Sequence, residues 1–197
     1  MTKEIIDKIN IKQKIKNGEE IILEFGSGLK NNENKINIDI QNLPTTNIVA
    51  NLEYGLSFLP NNSVDEIHTT SFLEHIENFE LLMTEIHRVL KPNKKIKIFV
   101  PHFSNPYFYS DYTHKRFFGL YSFSYFSKSH HPFHRKVPKF YNTCNFRITN
   151  IKLIFHSRLL TKIINSRLRL MELYEYHLSF IIPCYGIDVE LTALKNE

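Results

Sequence analysis

The chain has no tryptophan, only two cysteines and only six glycines in 197 residues. Cys144 and Cys184 form no CxxC pair, so neither a disulfide framework nor a cysteine zinc site is expected, and the metal set read from the sequence is empty. Nowhere does an apolar run approach the ~20 residues needed to span a bilayer, and no membrane span is expected. The opening MTKEIIDKINIKQ alternates charge with isoleucine and lacks the unbroken apolar centre of a signal peptide; a cytoplasmic location follows as the expectation. With few glycines, each one that sits in a tight turn carries weight. Apolar residues at 42% and charged residues at 23% suit one ordinary globular domain over 1–197. The net charge of +5 fits a partner bearing phosphate or carboxylate, and equally a solvated lysine-rich surface.

Ile5, Ile6, Ile9 and Ile15 recur at helical spacing, which predicts a helix over 3–16 ended by Asn17-Gly18. IILEF (21–25), INIDI (36–40), NIVANL (47–52), SVDEIHTT (63–70) and KIKIFVP (95–101) read as short strands. Phe79, Leu82, Ile86, Val89 and Leu90 line one helical face, which Lys91-Pro92-Asn93 closes. FRITNIKLIF (146–155) and GIDVELTAL (186–194) alternate apolar and polar residues, as strands near a sheet edge do, with a helical stretch over 158–182 between them. Strands alternating with helices and loops predict an α/β fold on a mostly parallel sheet.

Residues 102–146 differ from the rest. They hold 15 of the 26 aromatics and five of the ten histidines, with six Lys and Arg against Asp111 alone. Two readings stand: an aromatic-packed insertion with a basic rim, or a lid on the acceptor side of a crevice.

The turn at Gly26-Ser27-Gly28 follows an apolar strand, and Asp39 closes the next one. The glycines let the backbone turn sharply and approach a ligand closely, and the aspartate is placed to accept from a ribose diol. A dinucleotide site needs GxGxxG and an acid about 20 residues on; here Asn31 stands in the third glycine's place and the interval is short. The cradle suits a nucleoside without phosphates.

ILEFGSG, then NIDI, then NSVDEIHTTSFLEHIENFELLMTEIHRVLKPNKKIKIFVPHFSNP together resemble a class I S-adenosylmethionine-dependent methyltransferase. The sequence is similar in particular to small bacterial members often linked to capsule and surface-polysaccharide synthesis. The resemblance covers about residues 20–120 and the final strand pair. It implies a Rossmann-like domain with a mostly parallel seven-strand sheet, a shortened first crossover and one antiparallel edge strand, taken here as 186–194. It implies S-adenosylmethionine as cofactor and S-adenosylhomocysteine as product. Glu24, Gly26, Ser27 and Gly28 match the motif around the methionine part and ribose, and Asp39 the acid on the ribose hydroxyls. Asn51 and Leu52 stand where the family commonly has Asp-Leu near the adenine. Ser71, Phe72 and His75 match the segment beside the methionine part, with Leu73 as core and Glu74 as a helix cap.

TTSFLEH occupies the place of the Asn/Asp-Pro-Pro-Tyr/Phe loop of amino-methylating nucleic-acid enzymes, which favours an oxygen acceptor. His102, Asp111 and His114 are the candidate proton acceptors. Lys115, Arg116 and Tyr107 are the candidate contacts to a small anionic acceptor, such as a phosphate- or nucleotide-linked sugar or a phosphoramidate. The alternatives are a partner subunit that keeps the fold without catalysis and, more weakly, a protein acting on single-stranded RNA. A monomer or homodimer is expected.

Overall fold

A computed structural model describes residues 5–30, 34–128 and 132–195. Eight strands form one sheet: β1 (Ile6–Asp7), β2 (Ile22–Phe25), β3 (Ile36–Asp39), β4 (Ile48–Val49), β5 (Val64–Thr70), β6 (Leu90–Pro101), β7 (Phe146–Ile154) and β8 (Gly186–Ala193). Their order is β1-β4-β3-β2-β5-β6-β8-β7. The five strands from β4 to β6 are mutually parallel, while β8 runs antiparallel to both neighbours, and β1 antiparallel to β4.

The core strands form because their apolar residues are covered on both faces. Leu23, Phe25, Ile67, Ile96 and Val100 are fully buried. Helix α2 (Phe79–Val89) covers one face with Leu82, Met83, Ile86 and Val89. Each such side chain contributes about 1.5–3 kcal/mol relative to exposure. The helix ends at Val89 because Leu90 already has extended backbone, and β6 begins there, five residues earlier than the sequence suggests. Its pairing with β5 slips between Val64 and Glu66, which accommodates Pro92 and the left-handed Asn93.

Two expectations need correction. The reversed strand is β8, as expected, but it lies inside the sheet, and β7 holds that edge. The predicted amino-terminal helix is also split, and its first residues fall outside those described. Ile6–Asp7 pair with Ile48–Val49 as an eighth strand, and α1 spans only Ile11–Lys16. The break has a cause: Asn10 is left-handed, and the Asp7 carboxylate accepts from the N–H groups of Ile9 and Ile11. The stretch 158–182 contains α3 (Arg158–Ile164), α4 (Leu168–Leu173) and a wider turn over Tyr174–Leu178.

Among the described residues no helix lies between Phe25 and Ile36, in agreement with the shortened crossover. From β2 the chain winds outward through β3 and β4, then returns to β5 on the other side. The crevice of an open α/β sheet forms at that reversal, beyond the carboxyl ends of the strands. The glycine turn and the segment after β5 therefore face each other. No described helix is long and apolar enough to cross a membrane.

Candidate active site

Gly26 and Gly28 have φ of 64° and 52°, a region that disfavours any side chain. The Gly26 N–H donates to the Ile38 carbonyl (2.9 Å), and the Gly28 N–H donates to Asp39 Oδ2 (2.9 Å). Asp39 Oδ1 accepts from the Gln41 N–H at 2.9 Å. Each carboxylate oxygen thus carries one backbone bond and has capacity for another. Ser27 is buried, and its hydroxyl finds no partner among the described residues; the same holds for Thr69, which pairs with Phe25 on the neighbouring strand. Asn51 uses one lone pair of Oδ1 to accept from the Glu53 N–H, starting a single turn in which Leu52 is buried. Glu24 has a partner within the protein. Its carboxylate is buried against the Lys35 ammonium at 2.6 Å, so it ties β2 to β3.

Across the crevice, Ser71 takes a positive φ of 51° and its N–H donates to the Phe99 carbonyl. That turn throws Phe72 over the glycine loop: a Cβ on Gly26 would lie 2.5 Å from its ring. Leu73 is buried, as expected. Glu74, expected as a cap, is 1% exposed. Its backbone carbonyl accepts from the N–H groups of Lys115 (2.7 Å) and Arg116 (3.1 Å), which docks the loop after β6 onto the segment after β5. Its carboxylate Oε2 has no partner among the described residues. Burial pushes the carboxyl up to about 7, with a further contribution from the Asp111 charge.

Docking brings His75, Asp111, Thr113 and His114 to the same place. The Thr113 hydroxyl donates to Asp111 Oδ1 at 2.5 Å and lies 2.9 Å from His75 Nδ1. With its proton committed to Asp111, that oxygen accepts from His75 Nδ1–H. His114 Nδ1–H donates to the Phe108 carbonyl (2.9 Å), and its Nε2 lies 3.6 Å from Asp111 Oδ2. Both rings therefore carry a proton on Nδ1, and in its neutral form each presents an Nε2 lone pair. Their centroids are 4.8 Å apart. Burial, then the neighbouring His114, lowers the pKa of His75, which favours the neutral ring. Hydrogen bonds from Thr113 hold Asp111 below the usual carboxylate range.

His102 lies elsewhere. It is 0% exposed, with Nδ1 2.8 Å from the Ser104 hydroxyl and Nε2 2.9 Å from Glu175 Oε2. Both ring nitrogens are thus engaged inside the protein, and the ring fastens the end of β6 to the turn after α4. Arg116 donates to the carbonyls of Ile76 and Glu77, and Lys115 pairs with the Glu77 carboxylate at 2.9 Å. Tyr107 is exposed. The insertion is in part the aromatic core first considered: Phe118 stacks on Phe123, and Phe79 meets both edge-on. Sequence reasoning missed Glu74 as a chemical group and Thr113 altogether. The acid-histidine pair in FLEH was the available signal.

Residues 27–98 match the family model of a methyltransferase domain. Over that stretch the chain is similar to a methyltransferase domain. No curated protein matches the sequence. Among solved structures, an S-adenosylmethionine-dependent methyltransferase from Archaeoglobus fulgidus is 18% identical, with 94% of this chain and 92% of that one covered and a TM-score of 0.51. One from Mesorhizobium loti is 14% identical over 87% and 90%, with a TM-score of 0.51. A Haemonchus contortus phosphoethanolamine N-methyltransferase 2 in complex with S-adenosyl-L-methionine is 12% identical over 90% of this chain and 49% of that one, with a TM-score of 0.55. At these identities the likeness is one of fold. The strand order supports it: the reversed β8 sits between β6 and β7, and the glycine turn lies at the switch point. The crevice also fits the cofactor chemically, because Asp39 has acceptor capacity left and the buried Ser27 hydroxyl has no partner among the described residues.

Proposed function

We propose that this methyltransferase transfers the methyl group of S-adenosylmethionine to a hydroxyl of a small acceptor seated between residues 71–75 and the 107–116 loop. The observation that carries the reading is the cluster of Glu74, His75, His114 and Asp111 at the acceptor side of a glycine-aspartate crevice. Bound there, S-adenosylmethionine supplies an electrophilic methyl on a sulfonium. Asp39 would hold the ribose hydroxyls, and Gly26–Gly28 would bring the backbone close to the amino-acid part. Phe72, packed over Gly26, would exclude water from one side.

Methyl transfer from a sulfonium is an in-line displacement, so positioning supplies much of the rate. A hydroxyl acceptor gains further from a base poised near neutral pH. Glu74 has that poise because its carboxyl is pushed up to about 7. One ring nitrogen from each of His75 and His114 lies within 4.8 Å of its carboxylate. This cluster replaces His102 as the proposed proton acceptor. An anionic acceptor, of the phosphate-linked sugar or phosphoramidate kind, is the class proposed. Lys115 is the cation for it: its side chain is half exposed, and its partner is an exposed carboxylate. Arg116, spent on two backbone carbonyls, leaves that role.

The test is incubation with isotopically labelled S-adenosylmethionine and a panel of phosphorylated and nucleotide-linked sugars, read as a one-methyl mass shift. Transfer to oxygen supports the reading. Transfer to nitrogen, or to an uncharged acceptor in preference, refutes the finer part of it.

A further inference from the structure

We propose that Glu74, His75 and His114 form a binding site for a divalent transition-metal cation. One ligand-type atom from each of the three lies within 4.8 Å of the others, a separation that a single ion can bridge with small adjustments. Proximity of acids and histidines alone would mean little, and three further observations raise it above that. Glu74 is 1% exposed, yet its Oε2 has no partner among the described residues. A buried carboxylate oxygen without a donor is costly unless something else satisfies it.

The second observation is the orientation of the rings. A metal-bound histidine ordinarily donates its other N–H to a carbonyl, carboxylate or similar acceptor, which fixes tautomer and aim. His114 does so through Nδ1–H to the Phe108 carbonyl at 2.9 Å. His75 does so through Nδ1–H to the Thr113 hydroxyl at 2.9 Å, itself fixed by Asp111. Two independent outer partners thus produce the same result, an Nε2 lone pair on each ring. The third observation is rigidity between segments 40 residues apart. The Lys115 and Arg116 N–H groups both bond the Glu74 carbonyl, so the ligand from the loop is held against the two on the turn.

Two imidazoles and one carboxylate suit a borderline cation such as Zn²⁺, Mn²⁺, Fe²⁺ or Co²⁺ better than Ca²⁺ or Mg²⁺, which prefer oxygen alone. Three protein ligands leave positions open, and Asp111 Oδ2, 3.6 Å from His114 Nε2, borders them. This use rests on the methyltransferase reading, with Glu74 as a ligand in place of a base once the ion is bound: an acceptor hydroxyl on an open position would lose its proton to Asp111. The resulting oxygen would attack the methyl carbon while the carbon–sulfur bond breaks, its electron pair staying on sulfur.

The experiment is titration of the untagged, chelator-dialysed chain with Co²⁺, followed by visible absorption, with S-adenosylhomocysteine calorimetry on the same samples. One Co²⁺ per chain is expected, with binding lost in Glu74→Gln and His114→Ala variants that keep their circular dichroism. Thr113→Val removes the outer partner of His75, together with a hydrogen bond to Asp111, but none of the three ligands, and should weaken Co²⁺ by about 10–100-fold. No cobalt absorption in the wild type, or equal affinity in Thr113→Val and His114→Ala, overturns the site. If cobalt fails while the homocysteine product binds, the metal site falls alone. If cobalt binds and the product does not, the methyltransferase reading falls alone.

Discussion

The two walls of the crevice are built differently. The cofactor wall, from β2 to the turn after β4, is held by backbone groups and near neighbours: Gly28 to Asp39, Gln41 to Asp39, Glu53 to Asn51. The acceptor wall is held by distant side chains and docked loops: His102 to Glu175, His75 to Thr113, Glu74 to Lys115 and Arg116. A wall of backbone bonds fixes a shape that recurs whatever the acceptor. A wall of side chains spread along the chain varies one residue at a time. The contrast suits an enzyme whose cofactor is shared with many others and whose acceptor is its own.

The largest effect should come from His102. If it fastens the acceptor wall, His102→Ala strands the largely buried Glu175 carboxylate and should cost roughly 3–5 kcal/mol of stability in urea denaturation. A variant of wild-type stability with turnover lowered by ~10²–10⁴ would instead restore His102 as a base. On the opposite wall, Gly26→Ala meets a left-handed φ and the Phe72 ring together. The conformation costs about 1–2 kcal/mol and the overpacking about 1–3 kcal/mol, so a loss of roughly 2–5 kcal/mol is expected, with weakened S-adenosylhomocysteine binding. An unchanged denaturation midpoint would mean that Phe72 does not rest on the glycine turn.

A pH comparison sharpens the account of Glu74. Its pKa is raised from 4.5 to about 7 by burial, so between those values the folded chain keeps a proton that the unfolded chain has lost. The contribution is fully present below about pH 4.5 and is lost as pH rises through 7. Glu74→Gln mimics the protonated form at every pH. Relative to wild type in chelator, it should gain stability between pH 5 and 8, approaching about 3 kcal/mol at 1.36 kcal/mol per unit. A constant difference across that range would show that the carboxyl is not perturbed. The smallest effect is expected at Lys115. Its ion pair is exposed, so Lys115→Ala should leave stability nearly unchanged. It should raise the KM of an anionic acceptor, more strongly at low salt, and an unchanged KM would remove Lys115 from acceptor binding.

The same contrast decides what could be read before the fold was known. The turn at Gly26–Gly28 and its bond to Asp39 span 11 residues, and helix α2 carries its own period, so both were visible in the sequence. The interior place of β8 was not. Its alternation shows that one face is better covered than the other, and says nothing of whether both backbone edges are paired. The strand β1 left no period at all, being two exposed residues defined by pairing with β4. His102 looked like a crevice residue because it follows β6. Its burial depends on Glu175, 73 positions away. Asp111 and His114 are three positions apart and their proximity was legible, whereas Glu74 gains its surroundings from a loop 40 residues downstream.

Calorimetry with S-adenosylhomocysteine on wild type and Asp39→Ala tests the central claim most directly. The account predicts one site per chain in the wild type and a loss of about 1–3 kcal/mol in the variant, as expected for hydrogen bonds to a charged group. No heat at millimolar ligand in the wild type, or equal affinity in both proteins, would contradict it.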